Sequence, residues 1–299
     1  MNTPDFLIVG TARAGTTSLY SYLIQHPKLF LPVVKEPCFF TFAGEKINYK
    51  KGKFSFAITS IDEYSKLFEN ALPEQLTGEC STPYLYLYQK TIANLKKFHN
   101  NHSAIKIIIV LRNPVDRAYS QYLWRVRDGR EELTFEEAIE QEVERMKDNY
   151  SFDYFYLDRG KYYEQVKAYL KEFKNVKIIL YEDLIKNVEH ELINICQFLN
   201  VDKDFIFVKR TEQNSSFLPK SKLLSKLISL ESKTKFRMLN YFPENVKSTI
   251  KEKFRKFNSS NEAIQPLSDV LRNKLNEFFI EDIQNLEKLI GRDLSIWQK

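Results

Sequence analysis

The chain has 299 residues, a mass of 35.5 kDa and a net charge of +6 at neutral pH. Its 43% hydrophobic and 28% charged residues are typical of a folded globular protein and exclude a disordered, collagen-like or coiled-coil chain. No apolar run approaches the ~20 residues that cross a bilayer, so we expect a cytoplasmic protein without a membrane anchor.

The cysteines Cys38, Cys80 and Cys196 are odd in number and widely spaced along the chain. This pattern fits neither a metal site nor a disulfide framework. We therefore expect free thiols in a reducing compartment and no bound metal.

The charge is unevenly distributed. Residues 217–257 contain 11 Lys and Arg against 3 Asp and Glu, a local charge of +8, whereas residues 131–144 contain seven Glu and no basic residue. A basic stretch suggests an anionic partner, and solvated helix faces are the alternative interpretation of both runs.

Short apolar runs alternate with amphipathic segments along the chain, which predicts strands and helices in turn. Ser268 is the expected N-cap and Gly291 the expected stop of the last helix. Strands are predicted at 6–9, 75–79, 106–111 and 176–180, and helices at 16–25, 61–68, 90–98, 115–126, 135–147, 161–173, 188–199 and 268–290.

This order predicts an α/β fold with a central parallel sheet flanked by helices. We expect one domain over residues 1–299, with a C-terminal helical part at about 217–299. Ligands of such sheets bind at the carboxyl ends of the strands. The loops that follow Val9 and Leu111, and the loop near Cys80, are therefore the candidate sites.

The loop after the first strand, Gly10 to Thr17, resembles a phosphate-binding P-loop. Thr16 occupies the position where a nucleoside triphosphatase has its lysine, and Arg13 lies inside the loop instead. This pattern favours a phosphate ligand over a magnesium-bound triphosphate. A plain glycine turn between strand and helix is the alternative.

The loop after the strand at 106–111 begins with Arg112, and Ser120 follows about two turns into the next helix. An arginine fork with a hydroxyl suits a phosphate monoester. The two loops together predict a ligand with two separate phosphate-bearing ends.

These motifs resemble those of the sulfotransferase family that uses 3′-phosphoadenosine-5′-phosphosulfate (PAPS), and most closely its heparan-sulfate-type and bacterial branch. FLIVGTARAGTTSLYSYL resembles the family's 5′-phosphosulfate loop, and VLRNPVDRAYSQY its 3′-phosphate motif. VVKEPCFF, GECSTPYLY, RGKYYEQVKAYL and LYEDL resemble further blocks. The resemblance covers roughly residues 5 to 220.

The resemblance implies transfer of the sulfuryl group of PAPS to an acceptor hydroxyl, with adenosine 3′,5′-bisphosphate as the product and no metal. Arg13 would act in catalysis by neutralising charge on the departing phosphate. The implied cofactor-binding residues are Arg13, Ala14, Gly15, Thr16, Thr17 and Ser18 at the 5′ end, and Arg112, Ser120 and Lys220 or Lys222 at the 3′ end.

The resemblance also implies that Glu36 is the catalytic base. The loop near Glu79 has no histidine, unlike that of the small-molecule branch, and Glu79 is a weaker candidate. A salt bridge with Lys35 is the alternative interpretation of Glu36. Ser81 stands where related carbohydrate enzymes carry a lysine.

The implied acceptor is a carbohydrate or a small molecule with a hydroxyl, and no nucleic-acid partner is expected. Candidate residues for stacking on it are Tyr84, Tyr86, Tyr88 and Trp124. A P-loop-type kinase or nucleoside triphosphatase and a non-enzymatic nucleic-acid-binding protein are the alternative functions. The oligomeric state stays open.

Overall fold

The computed structural model describes residues 3–52, 54–99, 101–209, 220, 258 and 265–298. Five parallel strands form one sheet in the order β2-β3-β1-β4-β5. The strands are β1 (Phe6–Gly10), β2 (Leu29–Phe30), β3 (Leu76–Cys80), β4 (Lys106–Leu111) and β5 (Asn175–Leu180).

Helices separate the strands along the chain, and the predicted α/β class is confirmed. They are α1 (Thr16–Leu23), α2 (Phe39–Phe42), α3 (Ile61–Lys66), α4 (Pro83–Tyr86), α5 (Tyr88–Phe98), α6 (Pro114–Arg127), α7 (Phe135–Glu140), α8 (Glu142–Lys147), α9 (Tyr163–Glu172), α10 (Tyr181–Lys186), α11 (Val188–Leu199) and α12 (Asp269–Ile290).

The central strands β1 and β4 are buried on both faces of the sheet. Because side chains alternate along a strand, Leu7 and Val9 pack into one core, whereas Phe6 and Ile8 pack into another. The first core contains buried residues of α5, α9 and α12, and the second those of α1 and α11.

The last helix, α12, begins and ends where the sequence predicts. The Ser268 hydroxyl accepts the Leu271 N–H at 3.3 Å, and Gly291 adopts the left-handed conformation at the C-cap. Asp282 on this helix accepts the N–H groups of Tyr162 and Tyr163, at 2.7 Å and 3.2 Å. The helix therefore fixes the start of α9.

The prediction of one helix over 135–147 is wrong, because the segment forms two helices. Most glutamates of the run at 131–144 are exposed, as a solvated face requires, but Glu131 and Glu142 are buried. Arg145 donates to both carboxylate oxygens of Glu131, at 2.7 Å and 3.0 Å, and Glu142 accepts the N–H groups of Leu157 and Asp158. These acidic side chains hold the fold together.

Four short elements, β2, α2, α4 and α10, were not predicted from the sequence. Each has at most six residues, too few for a hydrophobic period to show. Apart from Lys220, the basic stretch at 217–257 lies outside the described residues. The boundary of the C-terminal helical part therefore stays a prediction.

Candidate active site

The loop between β1 and α1 has the left-handed conformations of an anion-binding turn. Arg13 has φ 71° and Gly15 has φ 78°. A Cβ atom on Gly15 would lie 3.1 Å from the ring of Tyr181, so this position favours glycine by both conformation and space. The backbone is therefore held close to α10, at the carboxyl end of the sheet.

The N-terminus of α1 carries no side-chain cap at Gly15 and no acidic residue in its first turn. The first N–H groups of a helix have no partner within the helix, and the helix dipole favours negative charge there. In this helix those groups belong to Thr16, Thr17 and Ser18. Together with the adjacent arginines, they suit an anionic ligand.

The structure brings together the two loops that the sequence identified. The Nε atom of Arg13 donates to the hydroxyl of Ser120 at 3.0 Å, and Arg112 donates to the carbonyl of Arg13 at 2.9 Å. Arg112 also lies 4.7 Å from the ring centre of Tyr181, and its own carbonyl accepts the hydroxyl of Tyr162 at 3.0 Å. Arg112 therefore links the end of β4 to the loop after β1.

Arg13 lies in a strongly cationic environment. Burial lowers its pKa to about 10, and the charges of Arg127 and Arg112 act in the same direction. The guanidinium stays protonated at neutral pH. An anion bound beside it would offset both the burial and the repulsion between cations, so the arrangement favours anion binding.

Glu36 faces the same cavity as Arg13, which has a volume of about 390 Å³. Its Oε1 atom accepts hydrogen bonds from Lys35 and Thr82, both at 3.2 Å. Its backbone is left-handed at φ 59°, and its N–H donates to the carbonyl of Cys80 at 3.0 Å. The salt bridge with Lys35 is present, and the carboxylate also lines the cavity.

The lining of the cavity is partly aromatic and acidic. It includes Phe54, Phe56 and Trp124 together with the carboxylates of Asp128 and Asp153. Trp124 is the one predicted stacking residue among the lining residues. Phe54 and Phe56 were not among the stacking candidates named from the sequence.

Two other predicted stacking residues are engaged elsewhere. Tyr84 is fully buried and donates to Glu79 at 2.5 Å, and the hydroxyl of Tyr86 donates to Asp158 at 2.6 Å.

Lys220 is exposed, and its N–H donates to the carbonyl of Asn258 at 2.7 Å. Its predicted contact with the 3′-phosphate stays a prediction.

Glu79, the weaker candidate base, is sealed in the core. It is 1% exposed and accepts hydroxyl groups from Tyr64, Ser81 and Tyr84. Burial raises its pKa to about 7, although these hydrogen bonds act in the opposite direction. It does not line the cavity, so we assign it a structural role.

His26, which lies shortly after the end of α1, also has a structural role. Its Nε2 atom lies 2.9 Å from the carbonyl of Asp202, and its Nδ1 atom accepts the N–H of Lys28.

Within the described residues, no helix has the length and apolar composition to cross a bilayer.

The chain belongs to the sulfotransferase family: its sequence matches the model described as "Sulfotransferase domain" over residues 3–289. This result confirms the family resemblance of the sequence motifs. It does not favour the kinase or the nucleic-acid-binding alternative.

Similar proteins support the same family. A crystal structure of a sulfotransferase from Alicyclobacillus acidocaldarius is 31% identical, with a TM-score of 0.77 and 100% coverage of both chains. The membrane-associated sulfotransferase kil1 of Dictyostelium discoideum is 28% identical over 217 residues, which are 69% of this chain and 41% of that protein.

The heparan sulfate glucosamine 3-O-sulfotransferase 5 of Mus musculus is 30% identical over 128 residues. That match covers 43% of this chain and 32% of the relative. The chain thus spans about two fifths of the length of the Dictyostelium discoideum relative and about one third of the length of the Mus musculus relative.

The burial of Glu79 leads to a prediction about stability. Since its folded pKa of about 7 exceeds the ordinary 4.5, the folded state keeps a proton that the unfolded chain releases between these values. The stabilisation by this group is full below pH 4.5 and is lost as the pH rises through 7. Glu79→Gln, which stays neutral, should lack this loss.

The measurement is the free energy of unfolding by denaturant from pH 4 to 8. The difference between wild type and Glu79→Gln should change by about 3 kcal/mol across that range. The matched control is Glu136→Gln, an exposed carboxylate. Parallel pH profiles for wild type and Glu79→Gln would contradict the burial argument.

Proposed function

We propose that the protein transfers the sulfuryl group of PAPS to the hydroxyl of a carbohydrate or small-molecule acceptor. The observation that carries the proposal is the convergence of Arg13, Arg112 and Ser120 at the uncapped N-terminus of α1, beside a cavity that Glu36 lines. Family membership supports the reaction class.

The residues present fit the two anionic ends of PAPS. The N–H groups and hydroxyls of Thr16, Thr17 and Ser18 would hold the 5′-phosphosulfate, with Ala14 and Gly15 shaping the turn. Arg112 and Ser120 would hold the 3′-phosphate, and Lys220 is a further candidate there. The contact between Arg13 and Ser120 would couple the two ends.

In the proposed reaction, the acceptor oxygen attacks sulfur in line with the departing phosphate. A new O–S bond forms as the bridging S–O bond breaks, and adenosine 3′,5′-bisphosphate leaves. Glu36 takes the acceptor's proton. Arg13 stabilises the negative charge that grows on the leaving phosphate oxygen, and such fixed cations supply a large part of the stabilisation in reactions of this kind.

The cavity supports an acceptor with a flat face beside its hydroxyl. Phe56 is 51% exposed and, with Trp124, offers ring surface for stacking on a sugar or an aromatic group. Asp128 and Asp153 supply acceptors for further hydroxyls. The relative from Mus musculus is named for a heparan sulfate glucosamine acceptor, and this name makes carbohydrates the first acceptors to test.

We also propose that the protein acts in the cytoplasm without a nucleic-acid partner. All three cysteines are free and buried, which fits a reducing compartment. The candidate site is built for a small anionic donor, and its lining contains carboxylates as well as cations.

The first expected result concerns ligand choice. Adenosine 3′,5′-bisphosphate at 100 times its Kd should stabilise the protein by about 2.7 kcal/mol, measured as a thermal shift. ATP with Mg²⁺ should stabilise it much less, because Thr16 replaces the P-loop lysine. Adenosine 5′-monophosphate is the control that lacks the 3′ group. Equal or greater stabilisation by ATP would favour a kinase.

A second prediction concerns Arg112→Ala. Loss of a charged hydrogen bond costs about 1.5–3 kcal/mol, so affinity for adenosine 3′,5′-bisphosphate should fall roughly ten- to a hundredfold. Affinity for adenosine 5′-phosphosulfate should fall far less, with the remainder reflecting the lost contact to Arg13. Arg272→Ala, which breaks a salt bridge to Asp116 on α6, is the matched control. Equal losses for both ligands would remove the 3′ assignment.

A third prediction tests the base. Glu36→Gln keeps the shape of the side chain and removes its basicity, so kcat should fall about 10²-fold or more while cofactor affinity stays nearly unchanged. Glu45→Gln, which loses an exposed salt bridge to Lys90, is the control. Retention of more than half of the wild-type kcat would exclude Glu36 as the base.

A further inference from the structure

A single ammonium group joins the candidate base to the cofactor loop. The Nζ atom of Lys35 donates to the hydroxyl of Thr17 at 3.1 Å and to Oε1 of Glu36 at 3.2 Å. Thr17 is the second residue of α1, directly after the phosphate-binding turn. Lys35 therefore spans the gap between the place where PAPS would bind and the group that would take the proton.

This ammonium is charged and largely enclosed. Burial opposes its charge, but Cys80 and Glu36 act in the opposite direction, and the net effect raises the pKa of Lys35. Its side chain is 21% exposed and lines the cavity with Glu36 and Arg13. It stays protonated throughout the pH range in which a carboxylate titrates.

The pair differs from the surface salt bridges of this protein. The side chains of Lys50 and Asp148, for example, are 60% and 56% exposed, and such pairs contribute little. Lys35 and Glu36 instead share the cavity wall. Glu36 is further fixed by the Thr82 hydroxyl and by its backbone bond to Cys80.

We propose that Lys35 is a positioning residue, which holds Glu36 in line with the cofactor loop through Thr17. The proposal rests on the proposed function, since it assigns a role within that reaction. Tethering the same ammonium to Thr17 places the base at a constant distance from the bound phosphosulfate.

The other charged or titratable groups around the pair make Lys35 the important partner. Glu79 and Cys80 of β3 interact electrostatically with Glu36, but neither a carboxyl nor a thiol can carry a positive charge. Tyr20 of α1 interacts with Lys35, Cys38 interacts with Glu36, and Asp153 lines the same cavity. Arg13 and Arg130 are the other cations that line it, and Arg13 contacts Ser120.

The test is Lys35→Met, which keeps the apolar stem and removes the charge, with Lys35→Arg as the conservative variant. Lys90→Met, which loses an exposed salt bridge to Glu45, is the matched control. The first readout is kcat, measured for Lys35→Met alone and for Lys35→Met combined with Glu36→Gln.

In Lys35→Met, kcat should fall about tenfold, because the base is no longer held beside the cofactor loop. Added to Glu36→Gln, the same change should cost little more, because the base that Lys35 positions is then absent. Lys35→Arg should restore kcat. Affinity for adenosine 3′,5′-bisphosphate should change less than threefold.

An unchanged kcat in Lys35→Met would overturn the proposal. A loss of kcat that is the same in the wild-type and Glu36→Gln backgrounds, accompanied by weaker binding of adenosine 3′,5′-bisphosphate, would also overturn it, because Lys35 would then be a direct donor contact. Failure of the proposed function is distinguishable. It would appear in the wild-type protein as a lack of adenosine 3′,5′-bisphosphate binding, before any Lys35 variant is made.

Discussion

The site depends on the parallel pairing of β1 with β4, which brings the ends of two distant segments to one edge of the sheet. Phe6 pairs with Lys106 and Ile8 with Ile108, so the loop after Gly10 and the loop after Leu111 lie side by side. The hydrogen bond from Arg112 to the carbonyl of Arg13 then joins these loops directly. A donor with two phosphate-bearing ends requires such a junction, because neither loop alone offers cations for both ends.

Much of the fold could be predicted from the sequence because its main elements have strong local signals. The run from Lys106 to Leu111 is β-branched and apolar, and α12 carries both an N-cap and a C-terminal glycine. The short elements were not predicted because two to six residues show no hydrophobic period. The burial of Glu131 was not predicted, because the sequence shows charges but not their partners. Its partners are Arg145 and Tyr156, which lie later in the chain.

The motifs of the two candidate loops were visible in the sequence as glycine, arginine and hydroxyl residues that follow strands. Their mutual contacts were not, because the bond from Arg13 to Ser120 crosses 107 positions of the chain. The structure places the two candidate bases in different surroundings. Glu36 lines the cavity, whereas Glu79 is enclosed by three hydroxyl groups in the core.

The left-handed backbone of Arg13 has a consequence for engineering. Residues other than glycine rarely adopt φ near 71°, so position 13 carries backbone strain that a glycine would relieve. A search for thermostable variants that scores only the conformational energy of the backbone would choose glycine at position 13. That choice would remove the guanidinium that contacts Ser120. Under the proposed function, stability and turnover therefore favour different residues at position 13, and Glu36, with φ 59°, presents the same conflict.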